Sequence, residues 1–169
     1  MTAAALVSNE WYVRDSILYG ADEMVADFVA AHIPHMQGAS FGERHPVTGL
    51  LPYAALGVIR GDNFVGGAVY YNWRTSNGRW VDVEMSAAFE PKCNWCNRAT
   101  LRELFWYPFV TADCLRMTTI TGRKNKAARK ADVSMGFKLE GVARKAIDGH
   151  QDAMIYGMLR GECKWIAPR

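Results

Sequence analysis

The sequence predicts an α/β (α+β) fold, a central mixed, mostly antiparallel sheet of about seven strands with helices packed on it. Three observations carry that prediction. Strand signals stand in a row between residues 53 and 87, separated by turn compositions. Two helical patterns are then inserted between later strands, an order that a sheet with helices laid against it accommodates. The length of 169 residues, 50% hydrophobic and 22% charged, suits a single domain over 1–169 with a sizeable core.

Trp11 to Leu18 reads as a first strand. From Asp22 to about Ile33, Met24, Val25, Phe28 and Val29 recur at helical spacing, and Asp22 and Glu23 sit where the helix dipole favours negative charge. Residues 34–52 are rich in Gly, His and Pro and show no period, so they read as a long loop or short irregular helix. Tyr53 to Arg60 and Phe64 to Trp73 read as strands joined through Gly61-Asp62-Asn63, and Asn77-Gly78 marks the turn into a strand from Trp80 to Ala87. Leu101, Leu104, Phe105, Pro108 and Phe109 form one apolar helical stripe, which Pro108 should kink or end. Leu115 to Thr121 is short and β-branched, hence a strand. Asn125 to Met135 reads as a helix with Ala128, Ala131 and Met135 along one side. Phe137 to Ile147 and Ala153 to Leu159 then form a hairpin around Asp148-Gly149.

Composition narrows the function classes. A net charge of +3 is too small to imply a nucleic-acid partner from the total alone. No apolar stretch approaches the roughly 20 residues of a membrane span. The apolar start, Met1 to Val7, lacks a signal peptide's basic opening and cleavage pattern, so cytoplasmic residence is expected. Cys93 and Cys96 form a C-x-x-C, half of a metal or redox site, and reduced thiols filling a loop are the plainer reading. His32, His35, His45 and His150 are scattered without ligand spacing, and no metal is expected. Trp73, Trp80, Trp95 and Trp106 read as core or sheet-face residues. Arg123, Lys124, Lys126, Arg129 and Lys130 crowd one stretch, either a solvated helix face or an anion contact.

Asn125, Ala128 and the Gly136-Phe137 pair match, in spacing, a motif of the GNAT acetyltransferase superfamily, which this chain resembles from about residue 115 to 160. The continuation through Glu140, Gly141, Arg144, Asp152 and Tyr156 resembles its ribosomal-protein and N-terminal acetyltransferase branch. The Gly- and Trp-rich pattern is also similar to small acetyltransferase-like proteins of tailed phages. The resemblance implies helices on both faces of the sheet, a splayed strand pair, acetyl-CoA as donor, an amine acceptor, and often a dimer. Physically, Gly136 suits a left-handed helix cap and Asn125 suits a helix N-cap, so both residues also have a purely local explanation.

The resemblance also assigns roles. Backbone at Met85, Ser86 and Ala87 would hold the pantetheine arm and polarise the acetyl carbonyl. The diphosphate loop would be Trp95, Cys96, Asn97 and Arg98, at a helix N-terminus that favours anions. The family pattern there is Gln or Arg, two residues, Gly, one residue, then Gly or Ala, yet Cys93 to Arg98 contains no glycine. Asn125, Ala128 and Arg129 would also contact the coenzyme. Asp82 and Glu84 share one strand face and are candidate general bases, the alternative being ion pairs with surface arginines. The family's Tyr, the usual general acid, is replaced by Asp132, leaving Ser134 and Tyr156 as substitutes. The expected function is therefore acetyl transfer to a primary amine, with residues 34–52 and the final hairpin on the acceptor side; the loop carries both signs of charge and favours neither an acidic nor a basic acceptor. The alternative is a degenerate domain of the same fold that binds a macromolecule, possibly a host protein. An RNA-binding module ranks last because no aromatic residue interleaves the basic stretch.

Overall fold

The computed structural model describes residues 11–36 and 39–167; Met1 to Val7 lie outside them. Strands β1 (Tyr12–Arg14) and β2 (Ile17–Tyr19) lead into helix α1 (Asp22–His32) and a short 3₁₀ turn, Pro34–Met36. After an irregular segment come β3 (Ala54–Arg60), β4 (Asn63–Ser76) and β5 (Arg79–Phe89). Helix α2 (Arg98–Trp106) precedes β6 (Arg116–Gly122), α3 (Lys126–Met135) precedes β7 (Lys138–Ile147), and β8 (Gln151–Leu159) follows. The sheet has eight strands in the order β1-β2-β3-β4-β5-β6-β8-β7. Neighbours are antiparallel except β5 and β6, which run parallel.

The eighth strand corrects one expectation. The stretch expected as a single strand from Trp11 to Leu18 folds back on itself, because Asp15 and Ser16 both take left-handed φ values, 52° and 66°. Such a pair forms a tight hairpin turn, and no glycine marks it in the sequence.

Both faces of the sheet are covered. On β4, Val69 points toward α1 and joins Val25, Ala26, Val29 and Ala55. Its neighbours Ala68 and Tyr70 point the other way, into the larger core with Leu101, Phe105, Phe109, Met135 and Phe137. Phe105 and Phe109 are almost wholly buried, each worth about 1.5–3 kcal/mol of apolar burial. Buried Tyr70 donates its hydroxyl to the Leu104 carbonyl at 2.7 Å, fixing α2 on β4.

Local chemistry sets the helix ends. Asn97 caps α2 by accepting from the Thr100 N–H. At Pro108, which lacks an N–H, the helix widens into a π turn over Tyr107–Thr111, closed by Ala112 N–H on the Tyr107 carbonyl. Gly136 ends α3 with φ 110°; its N–H reaches the Val133 carbonyl while the Phe137 N–H reaches that of Asp132. This is a Schellman cap, the role the sequence predicts for Gly136.

Candidate functional site

The parallel pairing of β5 with β6 is short: Asp82 with Arg116, Val83 with Met117, Glu84 with Thr118. Beyond Glu84, β5 keeps its ladder to β4 as far as Phe89, and β6 keeps its ladder to β8 as far as Gly122. The two strands therefore part, and their facing edges offer backbone N–H and C=O groups with no partner strand. Met85, Ser86 and Ala87 lie on the β5 side of this gap. Met85 turns into the α2–α3 core, while Ser86 turns to the α1 side and shares a 3.0 Å hydrogen bond with Tyr71.

The loop before α2 closes one end of β5. Trp95 stacks flat on Phe89 at 4.1 Å between centroids. Lys92 adopts φ 65°, a conformation that usually calls for glycine. Arg60 at the end of β3 braces this loop, donating to the Asn94 carbonyl at 2.8 Å, the Trp95 carbonyl at 3.5 Å, and the Thr100 hydroxyl. Asn97 accepts from Thr100 N–H at 3.0 Å and donates to the Asn94 carbonyl at 3.2 Å. The first N–H groups of α2, at Arg98 and Ala99, have no partner within the helix, and they point with its positive dipole end. Cys96 is exposed and Cys93 half-buried beside them. Sequence reasoning missed Arg60, whose only signal is an arginine ending an apolar strand.

Asn125 caps α3, its side-chain oxygen accepting from the Ala128 N–H at 3.1 Å. Arg129 donates to the Tyr156 hydroxyl at 3.3 Å and to the Arg123 carbonyl at 3.1 Å. Tyr156 stands on β8, one strand beyond β6, so Arg129 faces away from the gap. Ser134 donates its hydroxyl to the Lys130 carbonyl at 2.8 Å, within its own helix.

Asp132 is buried and accepts from the Thr121 hydroxyl at 2.8 Å, tying α3 to β6. Burial pushes its carboxyl above the ordinary value, against the opposing effect of that hydrogen bond. The stability linked to this raised value is fully present below the unfolded value near about 4, and is lost as pH rises through the folded value. Wild type should therefore lose stability relative to Asp132→Asn as pH climbs from about 4 toward 7. Urea midpoints of both proteins across that range test this, and parallel curves would refute it.

The two carboxylates of β5 differ sharply. Asp82 is bound by Arg74 at 2.6 Å, by the Thr118 hydroxyl at 3.0 Å to both oxygens, and by Arg116 Nε at 3.4 Å. Arg116 also donates to Glu140 at 2.6 Å. Glu140 belongs to β7 and reaches Arg116 across β8 only because Gly157 lies beneath it, where a Cβ would collide with its carboxylate. Arg74, Asp82, Arg116 and Glu140 thus form a charge ladder from β4 to β7, crossing the sheet at the closed end of the gap. Among the described residues, Glu84 has a single cationic neighbour, Arg74, at 3.7 Å. Of the two sequence candidates, Asp82 is an ion-pair partner and Glu84 is largely uncommitted.

A cleft of about 620 Å³ opens on the α1 side, between α1 and residues of the 40–53 segment. Glu23, Asp27 and Glu43 line it, with Arg44 the one cation, itself held by Glu23 at 2.9 Å. Tyr53, on the same wall, is pushed up to about 12, first by burial and then by Glu23, Asp27 and Asp22. Phe41 at its rim packs against Tyr71, which bonds Ser86, so the cleft leads toward the gap. A second cleft, about 400 Å³, lies along α3 beside Tyr156. Among the described residues, no group of three or more His, Cys, Asp or Glu could hold a metal ion, and no helix is long and apolar enough to cross a membrane.

No protein-family model matches the sequence, and no curated protein does. Solved structures do match. A probable acetyltransferase superposes with a TM-score of 0.57 at 22% identity, over 66% of this chain and 63% of that one. A point mutant of spermidine N-acetyltransferase SpeG from Vibrio cholerae gives 0.57 at 16%, over 68% and 69%. RimJ from Mycobacterium smegmatis, in complex with CoA-disulfide, gives 0.57 at 16%, over 66% and 55%. This chain thus matches under two thirds of the length of the first and the third. At these identities the likeness is one of fold: the chain shares the fold of these acetyltransferase structures.

Proposed function

We propose that this protein is an N-acetyltransferase, a single domain in which acetyl-CoA is the donor and a cationic primary amine the acceptor. The observation that carries the proposal is the β5–β6 gap, whose free backbone edges suit a pantetheine arm and its thioester. Met85, Ser86 and Ala87 flank the arm, and a backbone N–H on this edge polarises the acetyl carbonyl as it becomes an oxyanion. Trp95, Cys96, Asn97 and Arg98 face the diphosphate, with the α2 N–H groups and the Arg60 and Arg98 charges replacing what glycines do elsewhere. Asn125 and Ala128 border the gap from α3, and Arg129 fixes their position through Tyr156 and the Arg123 carbonyl.

Glu84 is the general base. It takes the ammonium proton, the free amine attacks the thioester carbon, and the tetrahedral adduct loses the extra nitrogen proton to water as it collapses and expels the thiolate. Ser134 is spent on a helix carbonyl, so the thiolate leaves to solvent and proximity supplies the rest. The acceptor enters by the α1 cleft, where three carboxylates against one arginine attract a cation. Spermidine, the substrate in the name of one structural neighbour, has that chemistry. The reading carries a cytoplasmic setting with it.

The test is a thermal melt with acetyl-CoA, coenzyme A and ATP. At one hundred times Kd a ligand of the folded state adds about 2.7 kcal/mol. For a domain of this size that is a rise of about 5–10 °C, expected with both coenzymes and not with ATP. No shift at millimolar coenzyme would overturn the reading and favour the non-catalytic binding alternative. Acetylation assays should then find spermidine a better acceptor than a neutral amine.

A further inference from the structure

We infer that the outer side of α3 and the edge strand β7 form a docking surface for an acidic, amphipathic segment of a partner protein. The surface is distinct from the donor gap. Its centre is the cleft along α3, lined by Lys126, Arg129, Lys130, Val133, Ser134 and Tyr156. Tyr156 belongs to β8, and β6 stands between β8 and the gap-forming β5. The inner side of α3, at Ala131 and Met135, packs into the core shared with α2. The cleft therefore opens on the flank of α3 that faces away from the donor.

Charge selects the occupant. Among the described residues, three cations line the cleft and no carboxylate does. The one acid of α3, Asp132, is buried and turned to β6. Next to these cations lies exposed aliphatic surface: Val133 is 60% exposed, Leu139 52% and Val142 47%. Leu139 pairs with Tyr156 and Val142 with Met154, and cross-strand partners share a sheet face, so both side chains project on the α3 side. β7 is also the last strand of the sheet, so the cleft stays open on the side away from β8. An extended segment lying in the cleft, over the face of β7 and along the flank of α3, would turn one set of alternate side chains down onto Leu139 and Val142 and the other set toward α3, where carboxylates meet Lys126, Arg129 and Lys130. Single-stranded nucleic acid would instead need exposed aromatic platforms, and the surface is aliphatic.

The experiment uses fluorescence anisotropy of the whole protein with a labelled peptide of alternating glutamate and leucine. The matching lysine–leucine peptide and a single-stranded RNA serve as comparisons. Micromolar binding of the acidic peptide alone is expected, undisturbed by saturating acetyl-CoA. Lys126→Glu combined with Lys130→Glu should weaken it by about tenfold or more, and Val142→Ser should weaken it too. Both lysines are exposed, so the melting temperature of the double variant should stay near that of wild type. Lys126→Gln with Lys130→Gln should fall between, which separates charge from misfolding. Several results would each overturn the proposal: no peptide binding, equal binding by the variants, displacement by acetyl-CoA, tighter binding of RNA, or self-association of the chain that the double variant abolishes.

Discussion

Glu84→Gln is expected to lower kcat/KM by about 10²- to 10⁴-fold, the usual worth of a positioned general base, and to leave stability nearly unchanged. The asymmetry follows from the contacts. Glu84 closes the paired part of β5 and β6, so its carboxylate stands where the strands part, on the α1 side, by which the acceptor is proposed to enter. Its side chain is only 12% accessible, yet its nearest cation, Arg74, is 3.7 Å away and already bound to Asp82 at 2.6 Å. Neutral glutamine fills the same volume and forfeits little of that long contact, so folding is spared while proton acceptance is lost. Thiol release at saturating acetyl-CoA, measured beside the urea midpoint of each protein, separates loss of the base from loss of the fold. A variant with an unchanged rate would remove Glu84 from the mechanism.

The fold was legible because its signals are local. Asn77-Gly78 and Asp148-Gly149 mark hairpin turns, Gly136 ends a helix, and the stripe from Leu101 to Phe109 spells its own period. The turn at Asp15-Ser16 was not, since neither residue announces a left-handed pair and the strands are three residues each. The site was half legible. The Asn125 to Phe137 spacing placed α3, and the same-face argument placed Asp82 and Glu84 together. What distinguishes those two carboxylates is register: Thr118 and Arg116 come opposite β5 only after α2 has crossed over, and Glu140 arrives from the far edge over Gly157. Arg60 is hidden for the same reason, because its partners lie more than thirty residues away in a loop without a period.

Asp82→Ala should cost about 3 kcal/mol of stability, the lower end of what removing one member of a buried ion pair costs. On a domain of this size that lowers the melting temperature by about 6–12 °C. Arg74 contributes little to this loss, because its side chain is 55% exposed and water replaces the carboxylate. The cost comes from Arg116 and Thr118. Buried Arg116 Nε has no hydrogen-bond partner of good geometry and relies on Asp82 at 3.4 Å, while the Thr118 hydroxyl donates to Asp82 alone. Asp82→Asn keeps an acceptor for Thr118 and should lose less. In the Asp82→Ala protein Arg116 keeps Glu140 at 2.6 Å, so Arg116→Met should cost less in that background than in wild type, a coupling that a double-mutant cycle in urea measures. Because these groups bind β5 to β6 at the closed end of the gap, the Asp82→Ala protein should also hold acetyl-CoA more weakly. An Asp82→Ala loss below about 1 kcal/mol, or strictly additive effects with Arg116→Met, would mean that the ladder is a surface ornament and that the gap is held open by the flanking sheets alone.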